Sequence, residues 1–210
     1  MAGNGGGSLL PPELQACEWL ETDGNSWINL PFNCNNITNI NNFEGKSGSE
    51  TGGRFFGLRK TSGRFFQLQT SSGFYFFRYF CTGGDVIQSN EPTTNWLKFS
   101  YNSDTKICKF NNEIITNTYS VEKNINLNIS LFRSYINGAY TLADNGTQIF
   151  NFDTNLFSLY SCYIKSGNTY TDNKGVECAA GTAGMYDLTN GVFYTNDGTG
   201  SFTHGADIIL

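Results

Sequence analysis

Apolar residues along this chain come in short runs, many alternating with polar ones, and Gly, Asn, Asp or Ser bound nearly every run. A period of two belongs to half-buried strands, and no stretch shows the 3.6 period of a surface helix. The pattern predicts strands at 17–21 and 26–30 around the turn Thr22-Asp23-Gly24-Asn25, and another at 37–43. A meander follows: G-R-F-F-G-L-R at 53–59, G-R-F-F-Q-L-Q at 63–69, and an aromatic run at 74–80. Strict alternation puts Arg54, Phe56 and Leu58 on one face with Arg64, Phe66 and Leu68, and Phe55 and Phe65 on the other. It likewise sets Tyr75, Phe77 and Tyr79 against Phe74, Phe76 and Phe80.

Residues 82–95 read as a polar loop, 96–101 and 105–110 as strands, and 113–116 as the return strand after Asn111-Asn112. Further strands are predicted at 126–132, 148–152, 156–165 and 175–178, with 134–145 as a loop and 168–174 as a polar tip. From Gly184 to Phe202 the chain reads G-M-Y-D-L-T-N-G-V-F-Y-T-N-D-G-T-G-S-F. Two apolar-aromatic runs flank Asn190-Gly191, a pair suited to the positive φ of a tight hairpin turn. Roughly a dozen short strands without a helix describe a sandwich or barrel.

Composition strengthens this picture. The 210 residues fit one all-β domain, and 18 Phe, 11 Tyr and 3 Trp supply a large core. With a net charge of −5 and 13 scattered Lys and Arg, the chain lacks the basic patch a nucleic-acid surface needs. No apolar run is long enough for a membrane helix, so no membrane insertion is expected. Cys17, Cys34, Cys81, Cys108, Cys162 and Cys178 form no C-x-x-C pair, and His204 is the lone histidine, which argues against zinc. Buried free thiols are expected, although an even count also permits three disulfides.

The first eight residues, M-A-G-N-G-G-G-S, read as a flexible arm without signal-peptide character. We divide the chain into an extended N-terminal arm, residues 1–11, and a β-sandwich, residues 12–210. Leu9, Leu10, Pro11 and Pro12 are the candidate anchors of that arm on a partner.

Several segments in order resemble the concanavalin A-like, laminin G-like jelly-roll module of phage virion proteins and gut bacterial surface proteins. They are W-L-E-T-D-G-N-S-W-I-N-L, F-F-G-L, Y-N-S-D-T-K-I-C-K-F-N-N-E, N-I-S-L-F-R, L-Y-S-C-Y-I, G-V-E-C and the 184–202 stretch. The resemblance spans about residues 12–206. It implies two curved antiparallel sheets packed face to face, and a role in binding or virion surfaces more often than in catalysis.

The expected function is therefore non-enzymatic. The first reading is a virion structural or decoration protein, made in a bacterial host cytoplasm, held by its arm to other virion proteins in a homo- or hetero-oligomer and adhering to glycans. The alternative is a free-standing carbohydrate-binding module at a bacterial extracellular surface. Glycoside hydrolases of this fold carry clustered carboxylates on one strand, and no such cluster exists here; Glu18 and Glu21 would face opposite sides. No cofactor is expected. Members of this fold class can hold calcium with Asp and Asn oxygens, which Asp144-Asn145-Gly146 and Asp153-Thr154-Asn155 could contribute, although Asp and Asn also serve as ordinary turn residues. Tyr75, Phe77 and Tyr79 are candidate sugar-stacking rings, with core packing the competing role.

Overall fold

A computed structural model of the chain describes residues 9–50, 53–59, 65–81, 86–93, 95–123, 125–136 and 138–210. In chain order the strands are β1 (Leu14–Ala16), β2 (Leu20–Thr22), β3 (Ile28–Asn33), β4 (Asn39–Lys46), β5 (Arg54–Arg59), β6 (Phe65–Ser71) and β7 (Phe74–Cys81). Then come β8 (Ile87–Pro92), β9 (Leu97–Asn102), β10 (Ile107–Phe110), β11 (Glu113–Thr116), β12 (Asn128–Leu131), β13 (Arg133–Ile136) and β14 (Ala139–Leu142). The chain closes with β15 (Gln148–Thr154), β16 (Ser158–Ile164), β17 (Thr169–Thr171), β18 (Glu177–Ala179), β19 (Ala183–Asp187), β20 (Val192–Tyr194) and β21 (Phe202–His204). A single 3₁₀ turn, Cys34–Asn36, is the one helical piece among the described residues.

The fold is all-β, a sandwich of two large sheets. The first sheet runs β11-β10-β9-β4-β15-β16-β19-β20, with β1, β2 and β21 attached at its side. The second runs β14-β13-β5-β6-β7-β8, with β12 and β3 attached. The expected antiparallel pairing holds with one departure: β13 runs parallel to β5, pairing Ser134 with Gly57. Gly57 permits that approach, because a Cβ there would lie 2.5 Å from Ser134 Oγ.

Aromatic rings from both sheets meet in the core. Phe43 of β4 packs edge-on against Phe55 and Phe56 of β5, and Phe77 of β7 packs against Phe99 and Tyr101 of β9. Here the structure corrects the strict alternation. A bulge between Arg54 and Phe56 lets both Phe55 and Phe56 point inward and be fully buried. The irregularity where β6 meets β7 has Phe80 at φ +48°, so Phe80 is buried on the same side as Tyr79. Tyr75, Phe77 and Tyr79 are core residues, and none offers a face to a sugar. The predicted placement of Arg64 lies outside the described residues.

The 82–95, 134–145 and 168–174 segments, read as loops, contain β8, β13, β14 and β17. Their side chains lack clean alternation, and edge pairing to neighbours decides their form. A ribbon of β17 and β18 covers the outer side of β16, β19 and β20, where Tyr170 meets Tyr186 and Phe193 edge-on. This makes a second, smaller core of Leu10, Leu14, Ala16, Cys162, Ile164, Tyr186 and Phe193. It explains why every residue of β19 is buried: Met185 faces the main core and Tyr186 the small one. Cys17, Cys34, Cys108, Cys162 and Cys178 carry free thiols.

Candidate functional site

Of the four candidate anchors, Leu9 is 65 % exposed, whereas Leu10 is buried in the domain's own small core. Pro12 is exposed and its carbonyl accepts from Lys165 Nζ at 2.9 Å. Pro11 is half-buried and its carbonyl accepts from the Leu14 N–H. The rest of the arm, residues 1–8, lies outside the described residues.

Asp187 closes the opening of the β19–β20 hairpin. Its buried Oδ1 accepts from the backbone N–H groups of Ser158, Thr189 and Asn190, and its Oδ2 from Asn190 Nδ2 at 2.6 Å. The tight two-residue turn expected at Asn190-Gly191 is in fact a four-residue loop, Leu188 to Gly191. Gly191 takes φ +69° in it, and its N–H bonds the Asp187 carbonyl. This carboxylate holds a turn rather than a substrate.

Two residues of the segments considered for calcium take part in loop closure. Asp144 accepts from Ser49 Oγ, and Asn155 Oδ1 caps the N–H groups of Thr38 and Asn39. Among the described residues no three His, Cys, Asp or Glu side chains cluster for a metal. His204 stacks on Tyr163, with centroids 4.1 Å apart and planes 11° from parallel, and the Tyr163 hydroxyl donates to Asp207 at 2.8 Å.

A cleft of about 340 Å³ lies on the outside of the first sheet, lined by Glu18, Trp19, Glu44, Trp96, Phe150 and Ile208. Three separate devices present its rings. Trp19 sits between β1 and β2, and the C-terminal segment zips alongside: Gly205 N–H donates to the Trp19 carbonyl and Glu18 N–H to that of Ala206. Gly205 is needed there, since a Cβ would come within 2.8 Å of the Trp19 indole nitrogen. Trp96 precedes β9 and is 38 % exposed. Asn111, at φ +51°, fixes its approach by donating to the Trp96 carbonyl and exchanging two 2.7 Å bonds with Lys98.

Phe150 owes its position to a bulge. On β15, Ile149 pairs with Gly45 and Asn151 with Glu44, so Phe150 is the extra residue opposite β4. The neighbour on the other side changes there as well, from β2 to β16. Phe150 is turned out of the core and braced edge-on by Tyr160 at 5.7 Å.

Polar groups surround the rings. Glu44 lies 3.4 Å from Lys98 Nζ, and its Oε1 accepts from Asn42 Nδ2 at 3.1 Å and Asn151 Nδ2 at 3.4 Å. Glu18 is exposed at the mouth. Flat apolar faces beside fixed carboxylate and amide groups can stack on the C–H face of a ring while bonding its hydroxyls.

Sequence reasoning missed this constellation. Trp19 in E-W-L-E and Trp96 in T-T-N-W are large rings next to polar residues, and that was the available signal.

Neither a family model nor a curated protein sequence matches this chain. Among solved structures it is similar to the CBM40 module of a Ruminococcus gnavus IT-sialidase, a structure bound to α2,3-sialyllactose. That similarity has a TM-score of 0.41 at 14 % identity and covers 68 % of this chain and 91 % of that one.

Proposed function

We propose that the protein is a non-catalytic carbohydrate-binding domain whose binding surface is the Trp19–Trp96–Phe150 cleft. The observation that carries this reading is the convergence of three part-exposed rings on one open cleft beside Glu18 and Glu44. The rings would take the apolar face of a sugar, and the carboxylates and the amides of Asn42 and Asn151 would order its hydroxyls. Two carboxylates on the wall favour an uncharged, hydroxyl-rich saccharide over an acidic one. Glu44, tied to Lys98 and two amides, acts as a fixed acceptor.

The virion placement expected from the sequence rests on the family resemblance and on the arm, residues 1–11, of which Leu10, one of the candidate anchors, packs into the domain's own small core. The cleft has the more specific support.

The test is a glycan array probed with the full chain, followed by calorimetric titration of the best saccharide. Specific binding that Trp19→Ala and Trp96→Ala each weaken about tenfold or more is the expected result. Absence of binding to every saccharide, or binding that both variants keep, overturns the reading.

A further inference from the structure

Arg133, the first residue of β13, is only 7 % exposed. Its guanidinium carbon lies 3.5 Å from the centroid of Tyr140 and 4.7 Å from that of Trp27. Nη2 donates to Asn29 Oδ1, which also accepts from Ser130 Oγ at 3.0 Å. The Nε–H is buried and has no acceptor. Among the described residues no carboxylate stands within ion-pair reach of Arg133. Asp197, which acts on Arg133 electrostatically, is held by the Asn29 N–H at 2.7 Å and by Lys174 at 3.3 Å.

An arginine stays charged inside a protein and presents five donors in a planar fork. Burying such a group with a donor unsatisfied and no counter-charge is costly. Burial pulls the Arg133 pKa down, and the countering effects of Tyr140 and Asp197 do not restore it. The side chain also lines an opening of about 300 Å³, together with Asn29, Asn128, Ser130, Tyr135 and Tyr140, on a floor that includes Leu58. That lining contains no Asp or Glu, in a chain of net charge −5. Both donors to Asn29 use its carbonyl oxygen, so its amide N–H groups are left to donate.

We propose that this opening is a binding site for an oxyanion, a carboxylate, sulfate or phosphate group, received by the Arg133 fork with help from the Asn29 amide. The site shares no residue with the Trp19–Trp96 cleft and stands whether or not that cleft binds sugar. A planar or tetrahedral oxyanion matches the guanidinium edge and supplies the missing counter-charge. Tyr140, 53 % exposed, would cover the ion on one side.

The test is a nitrogen-15 NMR titration of the full chain that follows the Arg133 Nε–H and the Trp27 indole N–H. The probes are sodium sulfate, sodium phosphate and sodium glucuronate, each to about 50 mM, with sodium chloride at matched ionic strength as the reference. A saturable shift with at least one oxyanion, absent with chloride, is expected. Stronger binding of glucuronate than of sulfate or phosphate identifies an acidic saccharide as the source, and the reverse identifies a free inorganic anion. Arg133→Lys keeps the charge without the fork and should weaken binding about tenfold. Arg133→Gln, once its melting confirms a folded domain, should abolish it. No shift with any of the three, or equal shifts with chloride, overturns the proposal.

Discussion

Phe56 on one sheet stacks on Phe152 of the other, with centroids 4.7 Å apart and planes 14° from parallel. The pair ties β5 to β15, whose outer face forms part of the cleft. Both rings are fully buried and Phe56 also touches Phe66, so truncation leaves a void that rigid neighbours cannot fill. Phe56→Ala should cost about 3–5 kcal/mol of unfolding free energy. Denaturant unfolding followed by near-ultraviolet circular dichroism measures it, and a loss below about 1 kcal/mol would contradict the packing described.

Trp96 contributes a ring to the cleft while being 38 % exposed, so removing it separates binding from stability. Trp96→Ala should weaken saccharide binding about tenfold and lower the melting temperature by no more than about 2 °C. Trp19 is half-buried, with its backbone bonded to Gly205, and its replacement should affect both properties.

Acid should loosen the ribbon beside the small core. Burial alone would raise the Asp172 carboxyl. The Thr195 hydroxyl, the Val176 and Lys174 N–H groups and the Lys174 ammonium outweigh it and hold the group below its usual range. A carboxyl depressed in the folded state stabilises fully above its unfolded pKa of about 3.9, and that stability is lost as pH falls through the lower folded value. Asp153, raised chiefly by burial, works in the opposite direction. Melting scans from neutral pH to below pH 3 should show a decline that Asp172→Asn flattens. A variant as acid-sensitive as the parent would remove Asp172 from this role.

Thiol chemistry should be confined. Burial pushes Cys17 and Cys34 up to about 12, and raises Cys108 and Cys162 as well. Few thiolates exist at neutral pH, and their sulfurs are enclosed. Cys178, on the outer ribbon, is only half-buried and should react first with a thiol reagent at pH 8. Cys178→Ser should remove that first phase; its persistence would mean that another cysteine is the accessible one.

The strand most legible in the sequence is one with a wet face, β9, whose core residues Leu97, Phe99 and Tyr101 alternate with Lys98 and Ser100, whereas in β4 a bulge breaks the alternation between Ile40 and Phe43. β19 shows no alternation because it is covered on both faces, and its strand character came from the turn residues beside it. Bulges were invisible. Whether Phe55 or Phe150 is supernumerary depends on the strand opposite, which no local pattern reports. The cleft joins Trp19, Phe150 and Ile208, residues far apart in the chain, so only the folded sheet brings them together. Arg133 falls between the strand predicted at 126–132 and the loop predicted at 134–145, and its enclosure between Trp27 and Tyr140 is wholly a tertiary effect.

The bulge at Phe150 separates two reading frames within one strand. Upstream, Ile149 opposes Gly45; downstream, Asn151 opposes Glu44. Excising Phe150 merges these frames into a continuous ladder as far as Asp153, with Ile149 and Phe152 still inward. Excising Asn151 instead carries Phe150 into its place and leaves the downstream frame unchanged, at the cost of the amide that bonds Glu44. The first deletion should keep the fold and erase one wall of the cleft, while the second should keep a ring there and lose an acceptor's support. A single extra residue thus turns a large ring outward from an otherwise ordinary stretch of sheet, and the sandwich should survive its removal.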